Sequence, residues 1–461
     1  MANNHHFHNS LLREYDIRGI VGETLFEKDA EIIGRIFGTR IIANKGQSVV
    51  VGRDGRHSSL EMEHALTQGL KSTGLNVYTI GQCPTPQLYF AVHELKTGGG
   101  IMVTGSHNPP NYNGFKMMLE TSPFFGSDIQ NMSKLAESGV YKTGSGKVTE
   151  VNIFPNYIDR LLFNANLQKH LSIVWDCGNG SAGPAVEALC ARLPGEHKIL
   201  FSDVDGDFPN HHPDPTVEKN LETLIMTIQE ERADLGIAFD GDGDRIGVVD
   251  GDGKIVWGDQ LLAILAEDVL SERSGATIIG DVKASRVLFD RISQLGGKPL
   301  MWKTGHSLIK TKMNEVNAPL AGEMSGHIFF RDRYYGFDDA LYAAIRLIQL
   351  LDKRNDSLSS IKSRLPEMVN TPELRFDCSE DEKFLVIEKA KNYLKTRRNI
   401  SVSTIDGIRV SNARGWWLLR ASNTQAALVA RCEADTVENL HHIKQELKDL
   451  LFNIGISAPK F

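Results

Sequence analysis

Three aspartates stand at alternate positions in the stretch DGDGDR, as Asp240, Asp242 and Asp244, with glycines between them and Arg245 directly after. The glycines let the backbone fold tightly enough for the three carboxylates to converge, and carboxylates that close repel one another. A hard divalent cation compensates such a cluster, and an all-oxygen donor set suits magnesium or calcium. An EF-hand is excluded by counting. It needs Gly at the sixth place of its loop and Glu at the twelfth, and from Asp240 those places hold Arg245 and Gly251. A second acidic stretch, DGDGK at 250–254, lies between the apolar runs IGVV and KIVWG and reads as a hairpin turn.

The other reactive candidate is Ser106, in GGGIMVTGSHNPPNYNGFKMM (98–118). Ile101 to Val103 read as the end of a buried strand, and NPPNYNG is dense turn chemistry, so the serine sits on a loop. Its hydroxyl is either a cap or a nucleophile. The pattern G-x-S-x-G fails at Thr104, which excludes a hydrolase elbow. His107 reads as structural, because neighbouring side chains on an extended segment diverge. The stretch KTGSGKVT (142–149) lacks the spacing of a phosphate loop and reads as a linker.

These loops need elements to carry them. Apolar strands alternate with helix-like stretches, the pattern of α/β architecture. SVVVGRDGRHSS (48–59), SIVWDCGNGSAG (172–183) and TIIGDVKASRV (277–287) each run an apolar strand into a loop of Asp and small residues. Later in each segment a second strand carries its own polar loop, as IMVTGSHNPPNYNGFKMM, LGIAFDGDGDRIGVVD and PLAGEMSGHIFFRDRYYGF. This echo predicts three similar α/β domains over 1–150, 151–255 and 256–365. From 366 to 461 the pattern changes to short strands joined by turns, then an amphipathic helix at 435–451 with an acidic cap, so a smaller fourth domain is expected.

Composition narrows the function. The chain has 461 residues and a formal charge of 51 − 58 = −7, so the general electrostatic pull toward nucleic acid or anionic lipid is absent. No apolar run approaches the roughly 18 residues of a membrane span, and the start lacks the regions of a signal peptide, so a cytoplasmic protein is expected. Five scattered cysteines argue for reduced packing residues, and His5, His6 and His8 read as a solvated tail.

Taken in order, TGSHNP, DGDGDR, GEMSGH (322–327) and RASNT (420–424) resemble the α-D-phosphohexomutase family across the whole chain. The resemblance implies three similar mixed-sheet α/β domains plus a smaller α+β C-terminal domain around a central cleft. It implies that Ser106 is carried as a phosphoserine, and that Asp240, Asp242 and Asp244 hold a magnesium ion that also touches its phosphate. Arg18 and Lys116 then attend the phosphoserine and the incoming hydroxyl, with Arg245 as a further basic group. General acid/base work falls to Arg18, Lys116 or His327. Glu323 and Ser325 would read two adjacent sugar hydroxyls, while Tyr15, Lys283, His306 and His327 add substrate contacts. Arg420, Ser422, Asn423 and Thr424 combine one guanidinium fork with short donors, a fitting cradle for a phosphate dianion.

The implied reaction interconverts hexose 1-phosphate and hexose 6-phosphate, with hexose 1,6-bisphosphate as intermediate and activator. TGSHNP with GEMSGH resembles the phosphomannomutase/phosphoglucomutase group. Phosphoglucosamine mutase, a noncatalytic phosphosugar-binding homologue and a metal-dependent phosphatase are the alternatives.

Overall fold

The structure is a computed structural model and describes residues 4–395, 397–422 and 427–456. Four sheets follow one another along the chain. The first holds β1 (Ile17–Ile20), β2 (Ser48–Arg53), β3 (Asn76–Gln82), β4 (Gly99–Val103), β5 (Tyr112–Leu119), β6 (Ser122–Phe124) and β7 (Val148–Glu150). The second holds β8 (Leu171–Asp176), β9 (Gly195–Leu200), β10 (Leu235–Phe239), β11 (Ile246–Asp250) and β12 (Ile255–Val256). In the third are β13 (Thr277–Asp281), β14 (Lys298–Trp302), β15 (Leu320–Gly322) and β16 (Ile328–Phe330). The fourth has β17 (Val369–Asn370), β18 (Leu374–Asp377), β19 (Ser401–Ser403), β20 (Ile408–Asn412), β21 (Gly415–Ala421) and β22 (Ala427–Ala434).

The first three sheets share one plan, as the echo predicts. β2 lies parallel between β3 and β4, β8 between β9 and β10, and β13 between β14 and β15. β4, β10 and β15 then each turn back through a short loop into an antiparallel neighbour, β5, β11 or β16. The parallel strands read as continuous apolar runs because helices cover them, and β4 and β10 are buried at every residue. Each hairpin loop therefore leaves the sheet at the same end of an equivalent strand. The fourth sheet is antiparallel throughout, with helices Glu380–Leu394 and Val437–Asn453 packed against it. The fold is three similar mixed-sheet α/β domains followed by an α+β domain.

One contiguous core runs through the first three domains, linking Leu88 and Phe90 to Trp175, Phe239, Leu262 and Leu347. The C-terminal domain builds its own around Trp417, Leu419, Ile443 and Leu447. Val282, Trp416 and Leu418 form the apolar contact between that domain and the third.

Several local expectations change. β7 pairs in parallel with β3, so the end of KTGSGKVT is an edge strand and not a linker. Its three residues are all exposed, which is why no apolar pattern marks it. The C-terminal helix is capped by Thr436, whose hydroxyl accepts from the Asn439 N–H at 3.1 Å, while Asp435 takes the Asn439 side-chain amide. His5 is not solvated tail, since it pairs with Asp29 at 2.7 Å and packs edge-on to the buried Phe7. DGDGK is the expected turn between β11 and β12, its Asp250 accepting from the backbone of Asp252 and Lys254. All five cysteines are free. Among the described residues no helix is long and apolar enough to cross a membrane.

Candidate active site

Ser106 follows the end of β4 with φ +49°, in the left-handed region. That conformation costs a non-glycine residue on the order of 1–3 kcal/mol and persists only where neighbours hold it. Here its N–H donates to Thr104 Oγ1 at 2.8 Å, and its C=O accepts from Arg56 Nη2 at 2.7 Å. The turn buries the hydroxyl and aims it at the second domain, where Oγ donates to Asp240 Oδ2 at 3.0 Å. Oγ also lies 3.2 Å from His107 Nδ1. The expected divergence of Ser106 and His107 fails because the segment is left-handed, not extended. His107 is held well below the ordinary imidazole range, first by burial and then by the charges of Arg245, Arg18 and Lys116.

The facing loop leaves β10 at Asp240 and returns in β11. Asp240 Oδ1 accepts the N–H groups of Asp244 and Arg245, each at 3.1 Å, so one carboxylate oxygen shapes the loop and the other meets the serine. Gly241 has no room for a side chain, since a Cβ would stand 2.5 Å from the Ser106 carbonyl oxygen. Lys116, on β5, reaches across to Asp242 Oδ2 at 2.6 Å and also to Asp244 Oδ2. Thr85 donates its hydroxyl to the same Asp242 oxygen.

All of these charges are buried, and their partners decide the direction of each shift. Burial, then Asp242 and Asp244, pushes the Asp240 carboxyl well above the usual range. Burial acts the same way on Asp242, but the Lys116 ammonium and the Thr85 hydroxyl hold it below. Lys116 itself is kept above the ordinary amine value by the carboxylates, against the pull of its own burial.

The donor set fits a metal. Oxygens of Asp240, Asp242 and Asp244 lie within 4.8 Å of one another, and among the described residues buried Asp242 Oδ1 and Asp244 Oδ1 have no hydrogen-bond partner. Carboxylate oxygens buried without donors are costly unless a cation compensates them, and an all-oxygen set selects a hard one.

The third loop closes on the second. Arg245 Nε donates to His327 Nε2 at 2.9 Å, and the Ile246 N–H donates to the Gly326 carbonyl at 3.0 Å. His327 Nδ1 stands 2.9 Å from Asp338 Oδ2 and 3.6 Å from Asp244 Oδ1, with the His306 ring stacked 5.5 Å away. Glu323, fully enclosed, accepts the Gly305 N–H at 2.7 Å, and Ser325 is half-buried beside it. Arg18 donates to the Gly105 carbonyl at 2.9 Å and pairs with Asp16. Tyr15 donates to the Thr304 carbonyl at 2.8 Å. Lys283 pairs with Glu373 at 3.2 Å, and Arg420 with Asp406 at 3.0 Å. The Ser422 carbonyl accepts from Lys383 at 2.7 Å, while Asn423 and Thr424 lie outside the described residues.

Ser106, Lys116, the three aspartates, Arg245 and His327 thus form one connected network, and Arg18 braces the serine loop. The motif reading passed over Asp54, Arg56, Thr85, Asp338 and Asp406, which support these residues. Each is an ordinary polar residue locally, and Arg56 and Thr85 find their partners 50 and 157 positions along the chain, at Ser106 and Asp242.

Profiles of phosphoglucomutase/phosphomannomutase match in four successive pieces: alpha/beta/alpha domain I over 9–138, domain II over 155–253, domain III over 257–369 and the C-terminal domain over 373–450. The chain belongs to the phosphoglucomutase/phosphomannomutase family. Phosphomannomutase/phosphoglucomutase of Pseudomonas aeruginosa is 45% identical over 98% of this chain and 97% of its own. Phosphoglucomutase of Neisseria gonorrhoeae is 41% identical over 96% of each. A solved phosphoglucomutase/phosphomannomutase family protein from Burkholderia thailandensis is similar with a TM-score of 0.93 at 43% identity, covering 99% of this chain and 100% of that one. As in phosphoglucomutase/phosphomannomutase relatives as a class, the chain is an enzyme, and each matched family segment contains most of one sheet.

Proposed function

We propose that the chain is a phosphohexomutase that interconverts hexose 1-phosphate and hexose 6-phosphate, with mannose and glucose as its sugars and Ser106 as the phosphoryl carrier. One observation carries the reading: a buried serine hydroxyl hydrogen-bonded to a carboxylate of a triad in which two neighbouring oxygens have no hydrogen-bond partner among the described residues. Asp240, Asp242 and Asp244, with an oxygen on Ser106, are the ligands for magnesium. Such an ion neutralises phosphoryl oxygens and favours attack at phosphorus.

The chain's residues do the rest. Phosphoryl transfer breaks the bond between phosphorus and Ser106 Oγ and forms one to a free sugar hydroxyl, giving hexose 1,6-bisphosphate. The hydroxyl proton passes to a base, for which Arg18, Lys116 and His327 are the candidates. Lys116 and Arg18 carry positive charge toward the serine. After the bisphosphate turns over, its other phosphate returns to Ser106 and the proton goes back. Glu323 and Ser325 take two adjacent sugar hydroxyls, with Tyr15, Lys283 and His306 around them. Arg420 and Ser422, together with Asn423 and Thr424, hold the nonreacting phosphate. Free thiols at all five cysteines suit a reducing, cytoplasmic setting.

The deciding experiment presents glucose, mannose and glucosamine 1-phosphates with a trace of hexose 1,6-bisphosphate and magnesium. Isomerisation of the mannose and glucose esters is expected. Turnover of the glucosamine ester alone makes the chain a phosphoglucosamine mutase, release of inorganic phosphate makes it a phosphatase, and binding without turnover makes it a noncatalytic homologue.

A further inference from the structure

The serine loop is held from beneath by two side chains of another segment. Arg56 lies between β2 and the helix Ser59–Lys71, in the stretch RDGRHSS. Its Nη2 donates to the carbonyls of Ser106, at 2.7 Å, and Asn108, while its Nη1 donates to Tyr112, at 3.1 Å, and Pro109. Asp54 completes the bracket. Its Oδ2 accepts the Gly105 N–H at 3.0 Å and stands 3.2 Å from Arg56 Nε, and its Oδ1 accepts the Arg56 N–H at 3.0 Å and the Ser59 hydroxyl. The loop from Gly105 to Tyr112 is thereby tied along its length, although its carbonyls belong to no helix or ladder at these points.

Guanidinium is suited to this work. It offers five donors in one rigid plane, so a single head group can satisfy carbonyls that point inward from a tight loop. There is no spare space: a Cβ at Gly105 would stand 2.3 Å from Arg56 Nε. From the second domain, Phe208 places its ring 5.2 Å from the guanidinium carbon, and a Cβ at Gly206 would stand 2.9 Å from the His57 nitrogen. The 203–208 loop therefore closes over the same bracket. Among the described residues no hydrogen bond or ion pair of Arg56 is with the metal triad, with His327 or with the sugar-reading loop, although its charge acts on Asp242 through space.

We propose that Arg56, seated on Asp54, is the positioning residue that holds Ser106 in the left-handed conformation from which its oxygen meets the triad. It acts on phosphoryl transfer and not on sugar binding. The inference rests on the reading of Ser106 as phosphoryl carrier.

Arg56→Lys tests it, because lysine keeps the charge and most of the reach but lacks the planar fork. The variant is expected to lose about 10- to 100-fold in kcat while KM for hexose 1-phosphate stays within about twofold, the signature of a misplaced reacting group. Uptake of phosphate from hexose 1,6-bisphosphate, followed by intact mass, should slow in parallel. Arg56→Ala should lose more, and added guanidinium ion should restore part of its rate. Three results overturn the proposal: an unchanged kcat in Arg56→Lys, a KM that rises as far as kcat falls, or a lowered melting transition with full specific activity in the folded fraction. Ser106→Ala, measured beside these, separates the two ideas. If that variant still takes up phosphate, the carrier reading fails and this proposal with it; if it does not and Arg56→Lys behaves as wild type, only the proposal fails.

Discussion

A buried ammonium between two carboxylates sets how the acidic loop behaves before any cation arrives. Lys116 stands where like charges would otherwise face one another, so removing one aspartate leaves the lysine a partner in the other. Asp242→Ala is accordingly expected to abolish turnover at every magnesium concentration while lowering the melting transition by only a few degrees. A rate equal to that of the wild type at saturating magnesium, with the same dependence on the ion, would show that the triad is not the metal site. If Ser106 is the phosphoryl carrier, the intact protein should show the mass of one phosphate and Ser106→Ala should lose it; an increment that survives the substitution places the phosphate elsewhere. At this scale the sequence is informative where chemistry is local: three aspartates spaced by glycines, or a serine among turn residues, announce themselves within a few positions. Arg56 and Asp338 do not, because an arginine whose partners are carbonyls in a distant loop looks like any solvated arginine. His107 misleads for a related reason, since a positive φ at Ser106 is enforced by Thr104 and Arg56 and by nothing in the residue itself.

Between residue and molecule lie the loops that the sheets present. The loop after β13 carries Lys283 and is gripped by the C-terminal domain: Arg409 donates to the carbonyls of Val282 and Ala284 at 2.7 and 2.8 Å, and Glu433 accepts from Ser285 and the Arg286 N–H. Glu373 adds the ion pair with Lys283. Burial alone would raise the Glu373 carboxyl, but Lys283 and Arg375 hold it down at about 2. A folded-state value below the unfolded one means stability that is present above the ordinary glutamate range and lost as pH falls toward 2. Glu373→Gln should therefore cost on the order of 2 kcal/mol at neutral pH and flatten the acid limb of a denaturation series between about pH 4.5 and 2. Equal slopes in the two proteins would remove this pair from the account. The strand-loop-strand echo makes these loops legible in the sequence, because buried strands must be apolar and their turns polar. β7 escaped notice because an exposed edge strand obeys neither constraint.

At the scale of the molecule, one core cluster spans the first three domains, the first domain adds a large cluster of its own, the fourth keeps its own, and a chain of contacts joins them. Tyr15 reaches the Thr304 carbonyl, the Thr304 N–H reaches Asp406, and Asp406 pairs with Arg420. If Arg420 holds the nonreacting phosphate, Arg420→Ala removes a charged hydrogen bond worth roughly 1.5–3 kcal/mol, about ten- to more than a hundredfold in affinity. Steady-state kinetics should show a raised KM, with phosphate on Ser106 unaffected because its ligands lie in other domains. An unaltered kcat/KM would take the phosphate cradle away from the fourth domain. The repeated strand plan carries a different consequence, for the way the chain comes together. A polypeptide that builds the same four-strand arrangement three times offers each newly made strand three look-alike slots, and repeat proteins misassemble by such exchanges. The hairpins lower that hazard. β4 with β5, β10 with β11 and β15 with β16 are neighbours in sequence, so each pair closes through a short loop before any rival strand can reach it. The loops that bring the reactive groups together are thus also the closures that tell each sheet which strands are its own.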